Sequence, residues 1–350
     1  MRFLIVKLSA LGDVVHALPA LRFLRAAVPG ARVTWVVERR VAGILEGQGI
    51  DDVVAIDTRA LRDDLRRGRV GAVAAEVRRA RRRLRDPGFD VALDLQGNIK
   101  SGVVIAQARA PRKVGLPRRL CREAQNTWFT GEQAEVVGSH VVDLSGGVVA
   151  HALGARWQVP AGPALQVDAG AAAAVAARLE DHPGPRIAFI NGASWWTKQW
   201  SLASFVALGR RLVEEHHGRI ILPWGDEGER RRAAEIATAL GPAATVPEGG
   251  SLAELAALLA ACDVVVGGDT GPLHMAWAVG TPTVSLYGPN PSGRNGPRGE
   301  RHRVFQSTVE CSPCWGKECP TGDFICMEAI GVAEVATAAT ALLAEGRRRT

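Results

Sequence analysis

Apolar runs of strand length alternate with amphipathic stretches along most of this chain. Residues 2–8 (RFLIVKL) form a mainly apolar run of the kind a buried strand requires. Ser9 to Gly12 breaks it. From Asp13 to about Val28 the positions Val14, Leu18, Leu21, Leu24 and Val28 share one helical stripe, which Pro29-Gly30 closes. Pro19 falls early in that helix, where a kink is expected. Val33–Val37, Val53–Ile56 and Val91–Leu95 predict further strands, with a long basic segment ahead of the last. Strands that alternate with helices predict a parallel sheet covered on both faces.

The pattern blurs from about 115 to 165, apart from a helix at 141–153, and Gln158 to Gly170, with Pro160 and Pro163, reads as a linker. A second series follows: strand Ile187–Ile190, helix 201–215, strand Ile220–Pro223, and helices 227–240 and 251–261. The expected division is an α/β domain over 1–160, a second over 170–330, and a C-terminal helix over 331–350. Ligands of open α/β sheets sit at the carboxyl ends of the strands. Two such domains face to face would put an active site in the cleft between them.

The second series leads into Asp263 to Gly288, DVVVGGDTGPLHMAWAVGTPTVSLYG. Val264–Val266 reads as a buried strand, Gly267 to Gly271 as a polar turn, and Pro272 as a first-turn helix residue. Strand, glycine turn and helix N-terminus make an anion site, because free N–H groups and the helix dipole favour a phosphate there. Thr270 adds a hydroxyl, and Asp269 could hold a ribose or order the turn. Simple helix capping by Asp269 and Thr270 is the alternative.

At 350 residues the chain is long enough for two cores, and 47% hydrophobic with 23% charged residues is ordinary for a globular protein. No apolar run reaches the roughly eighteen residues that a membrane span needs. The N-terminus lacks the pattern of a signal peptide, so a cytoplasmic protein is expected. A net charge of +7 suggests an acidic partner. One Tyr and eight Phe, none interleaved with basic runs, argue against nucleic acid.

Asp13 follows the first strand and is either a helix cap or a general base, with His16 as the competing base. His16 reads more simply as a partly exposed helix residue. Lys7 and Lys100 stand at strand mouths, where a lysine suits an anion or is simply a solvated strand-end residue. In NGASWWTKQW (191–200), Ser194 and Thr197 are candidates to bond a phosphate and Lys198 to offset its charge. Glu227 and Glu229 open a helix, where they complement its dipole or bind a ribose. Arg62, Arg66 and the arginines on to Arg85 form either a solvated face or a patch for a phosphorylated or membrane-surface acceptor. Cys311, Cys314, Cys319 and Cys326 follow C-x2-C-x4-C-x6-C, a spacing open to zinc or iron, to reduced thiols or to a disulfide.

Several of these segments together resemble glycosyltransferase family 9, the ADP-heptose:lipopolysaccharide heptosyltransferases. They are MRFLIVKLSALGDVVHALPAL at the start, DVALDLQGNIKS at 90–101, WWTKQWS at 195–201, LPWG at 222–225 and GGDTGPLHMAWAVGTPTVSLYGP at 267–289. CREAQ at 121–125 and the Arg62–Arg69 region look most like the first heptosyltransferase, whereas the cysteine segment looks more like the second group. The resemblance implies a GT-B fold: two Rossmann-like domains facing each other across a cleft, the first for the acceptor and the second for the nucleotide sugar. It implies inverting transfer of heptose from ADP-heptose to Kdo–lipid A, without a catalytic metal, at the anionic inner face of the inner membrane. By position it makes Asp13 the general base and sets Lys198 against the donor phosphates. Ser194, Thr197, Glu229, Asp269, Thr270, Gly271, Pro272 and His274 fall on the donor side. Lys7, Ser9, Gln96, Lys100, Arg62, Arg66, Arg122 and His140 fall on the acceptor side. A heptosylated core or another nucleotide sugar is the alternative within enzymes. An inactive nucleotide- or metal-binding protein is the alternative outside them.

Overall fold

The computed structural model describes residues 1–86, 88–179 and 182–348. The chain divides into two compact units between Ala164 and Leu165. The first contains β1 (Arg2–Val6), α1 (Leu11–Val15), α2 (Leu18–Ala27), β2 (Arg32–Glu38), β3 (Asp52–Ile56), α3 (Thr58–Arg66) and α4 (Val70–Arg85). It continues with β4 (Val91–Asp94), α5 (Ile99–Ala106), β5 (Arg112–Gly115), β6 (Glu132–Gln133) and α6 (Val141–Leu153).

Its sheet runs β3-β2-β1-β4-β5-β6, and every pairing is parallel. Ile5 stands between Trp35 and Leu93, so the central strand is apolar on both sides. Leu4, Val6, Val36 and Val54 pack with Leu84, Phe89 and Ile105 in one buried cluster. The helix expected over 13–28 is two helices. Pro19 has no N–H to give to the preceding turn, so the chain breaks after Val15 and restarts at Leu18 with the proline in the first turn of α2. The basic segment folds as α3 and α4. Neither packs deeply: α3 buries no residue and α4 only Leu84.

The second unit contains α7 (Ala169–Arg178), β7 (Arg186–Ile190), α8 (Leu202–His216), β8 (Arg219–Ile221), α9 (Glu227–Leu240), β9 (Ala244–Thr245) and α10 (Leu252–Ala260). There follow β10 (Val264–Gly268), α11 (Gly271–Val279), β11 (Thr283–Tyr287), α12 (Ser292–Asn295), β12 (His302–Gln306), α13 (Ile325–Glu328) and α14 (Val332–Arg347). Of the helix expected over 331–350, residues 349 and 350 lie outside the described residues. The sheet runs β12-β11-β10-β7-β8-β9, again with parallel pairings.

Counted from its own first strand, each sheet has the order 3-2-1-4-5-6. That is the Rossmann order, in which the crevice for a ligand opens where the order reverses. The reversal falls between β1 and β4 in the first unit and between β7 and β10 in the second. Each unit is therefore a Rossmann-like α/β domain.

Candidate functional site

In the second unit the loops after β7 and β10 converge on Asp269. Gly267 and Gly268 make this possible. A Cβ on Gly267 would come within 2.7 Å of the Ile190 side chain, and one on Gly268 within 2.7 Å of the Lys198 carbonyl oxygen. The Asp269 carboxylate is 6% exposed and receives Lys198 Nζ at 2.7 Å, Asn290 Nδ2 at 2.6 Å and Asn295 Nδ2 at 2.7 Å. His274 Nε2 lies 3.0 Å from its Oδ1. Burial disfavours the charge, but the bonds and charges of His274 and Lys198 outweigh it and hold Asp269 well below the usual carboxylate range. Lys198 Nζ also lies 4.4 Å from the centre of the Trp195 ring.

Thr270 is the N-cap residue of α11 but makes no side-chain cap bond, and Pro272 opens the helix. The capping alternative therefore fails for Thr270. Its hydroxyl is buried without a partner among the described residues, as are both polar atoms of the Asn191 side-chain amide. Asn191 directly follows β7, the strand beside β10. Unsatisfied buried groups are rare, and hydrogen-bond donors at neighbouring strand ends, one of them at a helix N-terminus, are chemically suited to an anion. Gly271 and Pro272 supply the first turn of that helix. Ser194 is exposed in the same loop. Thr197 is turned elsewhere: its Oγ1 donates to the Gly316 carbonyl at 3.0 Å.

Glu229 lies beside this loop. Gly225 N donates to its Oε2 at 2.7 Å, and a side chain at Gly192 would collide with its carboxyl group. Burial pushes its pKa up. Glu227 points away, with a 71% exposed side chain paired to Arg230. Asp226 is the helix cap, its Oδ1 accepting from Gly228 N and Glu229 N at 2.8 and 2.9 Å. Next to Glu229 a cavity of about 580 Å³ opens, lined by Trp224, Gly225, Val246, Pro247, Leu255 and Leu258 among others. Gly225 belongs to both, whereas Asp269 and Lys198 do not line the cavity.

In the first unit Gln96 stitches the two switch-point loops together. Its Oε1 accepts from Leu8 N at 2.9 Å and Ser9 N at 3.3 Å, and its Nε2 donates to the Ser9 carbonyl at 2.7 Å. Lys7 is buried and donates to the Leu95 carbonyl at 2.7 Å. Lys100 pairs with Glu38 at 2.8 Å. Burial works against the Glu38 charge, but Lys100 and Thr58 lower its pKa on balance. Asp13 is the third residue of α1, not its N-cap: Oδ2 accepts from Ala10 N at 3.0 Å, and Oδ1 takes no bond among the described residues.

His16, expected to be partly exposed, is 2% exposed, with its ring centre 6.0 Å from that of His140 and the two rings edge-on. His140 caps α6, its Nδ1 accepting from Val142 N at 3.2 Å. Arg62, Arg66 and Arg122 are exposed, and their side chains make no hydrogen bond or ion pair among the described residues. They are not drawn into the Lys7–Gln96–Asp13 group.

Cys311 and Cys314 are exposed, Cys319 is half-buried and Cys326 is buried. Among the described residues no three metal-ligating side chains are gathered as placed, so the four cysteines do not form a ready coordination sphere. Burial raises the Cys326 thiol, and the nearby thiols of Cys311, Cys314 and Cys319 raise it further. Thr321 and the Phe324 N–H lower Cys319 to about 7.

Asn191, Asn290 and Asn295 were not picked out by sequence reasoning. The NPSGRN turn after β11 offered one signal, a polar loop at the carboxyl end of a strand beside β10. Among the described residues no helix is long and apolar enough to cross a membrane.

A profile of glycosyltransferase family 9 (heptosyltransferase) matches residues 77–325. The chain is 35% identical over 327 residues to lipopolysaccharide heptosyltransferase 1 of Pseudomonas aeruginosa, covering 91% of this chain and 87% of that one. Its structure is similar to E. coli heptosyltransferase WaaC with ADP, at a TM-score of 0.81 and 26% identity, over 98% of this chain and 100% of that one. WaaC with ADP-2-deoxy-2-fluoro heptose matches at a TM-score of 0.75 and 28% identity, over 88% and 93%.

Proposed function

The chain belongs to glycosyltransferase family 9, the heptosyltransferases, and from that premise we propose that it moves heptose from ADP-heptose to the Kdo–lipid A inner core of lipopolysaccharide with inversion. The observation that carries the donor half is the pair of unsatisfied buried groups, Thr270 and Asn191, beside the α11 N-terminus and Lys198. The donor diphosphate accepts from Thr270, Asn191 and the first N–H groups of α11, with Lys198 opposing its charge. Glu229 takes the ribose hydroxyls, and the apolar cavity beside Trp224 takes the base. Asp269 does not touch the donor in this reading. It fixes Lys198, His274, Asn290 and Asn295 around the site.

Asp13 is the general base. It takes the proton of the acceptor hydroxyl as that oxygen attacks the heptose anomeric carbon. The transition state resembles an oxocarbenium ion, and ADP leaves from the opposite face. Charge builds on the leaving diphosphate, where Lys198 and the helix N–H groups stabilise it. Lys7, Ser9, Gln96 and Lys100 shape the acceptor end, with Lys7 and Lys100 held in place by the Leu95 carbonyl and Glu38. The basic helices α3 and α4 rest on the anionic surface from which a lipid-linked acceptor is presented.

Asp13→Asn tests the reading. Transfer is expected to fall by about 10²–10⁴-fold while ADP-heptose binds as before, since a positioned base contributes on that order. Transfer near the wild-type rate removes Asp13 as the base.

A further inference from the structure

Residues 308–325 form a long connection after β12 in which no residue is buried. A loop of this length with no core of its own needs either a function or a staple. Its placement is nevertheless defined. Ser312 Oγ donates to the Gly288 carbonyl at 2.7 Å, and Trp315 N donates to the Pro289 carbonyl at 2.8 Å. The same Gly288 faces the far end of the connection: a Cβ there would lie 2.9 Å from Cys326 Sγ. The beginning and end of the cysteine segment thus meet at one glycine.

From that anchor the segment reaches the loop that carries Lys198. Thr197 Oγ1 donates to the Gly316 carbonyl at 3.0 Å. The Trp196 and Phe324 ring centres are 3.7 Å apart, and Lys317 Nζ lies 5.4 Å from the centre of the Trp195 ring. Three consecutive residues next to Lys198 therefore lean on a strap that has no buried side chain of its own.

Three of the six cysteines in the chain fall in this strap, at 311, 314 and 319, and a fourth, the buried Cys326, stands directly after it. Gly316 N donates to Cys314 Sγ at 3.4 Å, the kind of N–H···S contact that supports a ligating thiolate from its second shell. We propose that Cys311, Cys314, Cys319 and Cys326 bind one soft divalent cation of the zinc class, and that this ion fastens the strap against the Trp195–Lys198 loop. Cys326 is the fixed ligand, and the three more accessible side chains rotate onto it. Each thiol that ligates releases its proton to solvent as a metal–sulfur bond forms. Four sulfurs close a tetrahedral sphere and leave no open position for catalysis, so the ion is structural. The consequence for the donor site rests on reading Lys198 as the diphosphate ligand.

The test starts from full-length protein purified without chelator and equilibrated with Zn(II). Elemental analysis is expected to give about one zinc per chain, lost in the Cys311→Ser/Cys314→Ser double variant, whose substitutions are exposed. Removing the metal is expected to open the strap to trypsin at Lys317 and to weaken ADP binding about tenfold, with the circular dichroism of the fold unchanged. Zinc below a tenth per chain overturns the proposal. So does a double variant that keeps its zinc, or metal removal that leaves both cleavage and ADP affinity unaltered. An intact protein that binds zinc and protects Lys317 but does not bind ADP contradicts the donor-site reading, while the metal-held strap stands.

Discussion

At the scale of residues the account turns on Asp269. Its carboxylate holds a lysine, a histidine and two asparagines that come from three separate segments of the second unit. Removing one member of a buried ion pair leaves its partner uncompensated, at a cost of roughly 3–5 kcal/mol. Asp269→Ala is therefore expected to lower the urea midpoint of the second unit by an amount equivalent to that range, and to weaken ADP binding through a loosened Lys198. A midpoint within experimental error of the wild type contradicts the hub. Sequence made Asp269, Thr270, Lys198 and Glu229 legible as candidates because each stands at a strand end in a polar turn. It did not show that Asp269 faces inward to other side chains or that Thr197 turns to Gly316, because both depend on segments distant in the chain. The asparagines did not stand out because Asn is among the ordinary turn residues, whatever its side chain later meets.

Among the elements, the α3 and α4 pair is the departure from a plain Rossmann unit. Arg62, Arg66, Arg67, Arg69, Arg78, Arg79, Arg81, Arg82, Arg83 and Arg85 lie on or between these helices, and Leu65, Val70 and Val77 are exposed at 54%, 63% and 47%. Exposed apolar side chains among arginines suit a surface that is anionic outside and apolar below. Sedimentation with vesicles of anionic lipid is expected to retain the protein at low salt and release it at high salt. Charge reversal at Arg62, Arg66 and Arg69 is expected to abolish the retention, and unchanged sedimentation would discard the patch. The strong central strands and helices were legible from periodicity, with ends displaced by one or two residues. The strands β5, β6, β9 and β12 were not. β6 and β9 have only two residues each, and RKVG in β5 and HRVFQ in β12 carry too many polar positions for the pattern to stand out.

For the molecule as a whole, two units with the same strand order place their polar loops at the same topological point. The repeat was visible in the alternation of strands and helices, whereas the strand order itself appears only once the pairing is known. The second unit also carries an acid sensitivity. His302, on the edge strand β12, is half-buried and has its pKa lowered by burial, and by Arg301 and Arg303, to about 4. A histidine whose folded pKa is depressed takes up its proton more readily in the unfolded chain. Its neutral form costs nothing above about pH 6.5, and stability is withdrawn as pH falls from there to about 4, by on the order of 3 kcal/mol. Denaturation midpoints over that range are expected to fall with pH in the wild type and less steeply in His302→Gln. Parallel slopes would assign the loss to other groups.

The central claim is heptose transfer to Kdo–lipid A, and it is tested most directly by incubating the purified protein with ADP-heptose and Kdo–lipid A and reading the acceptor by mass spectrometry. The account predicts a mass gain of one heptose on Kdo–lipid A. A gain only on the acceptor that already carries heptose, or no gain on either while ADP-heptose is bound, would contradict it.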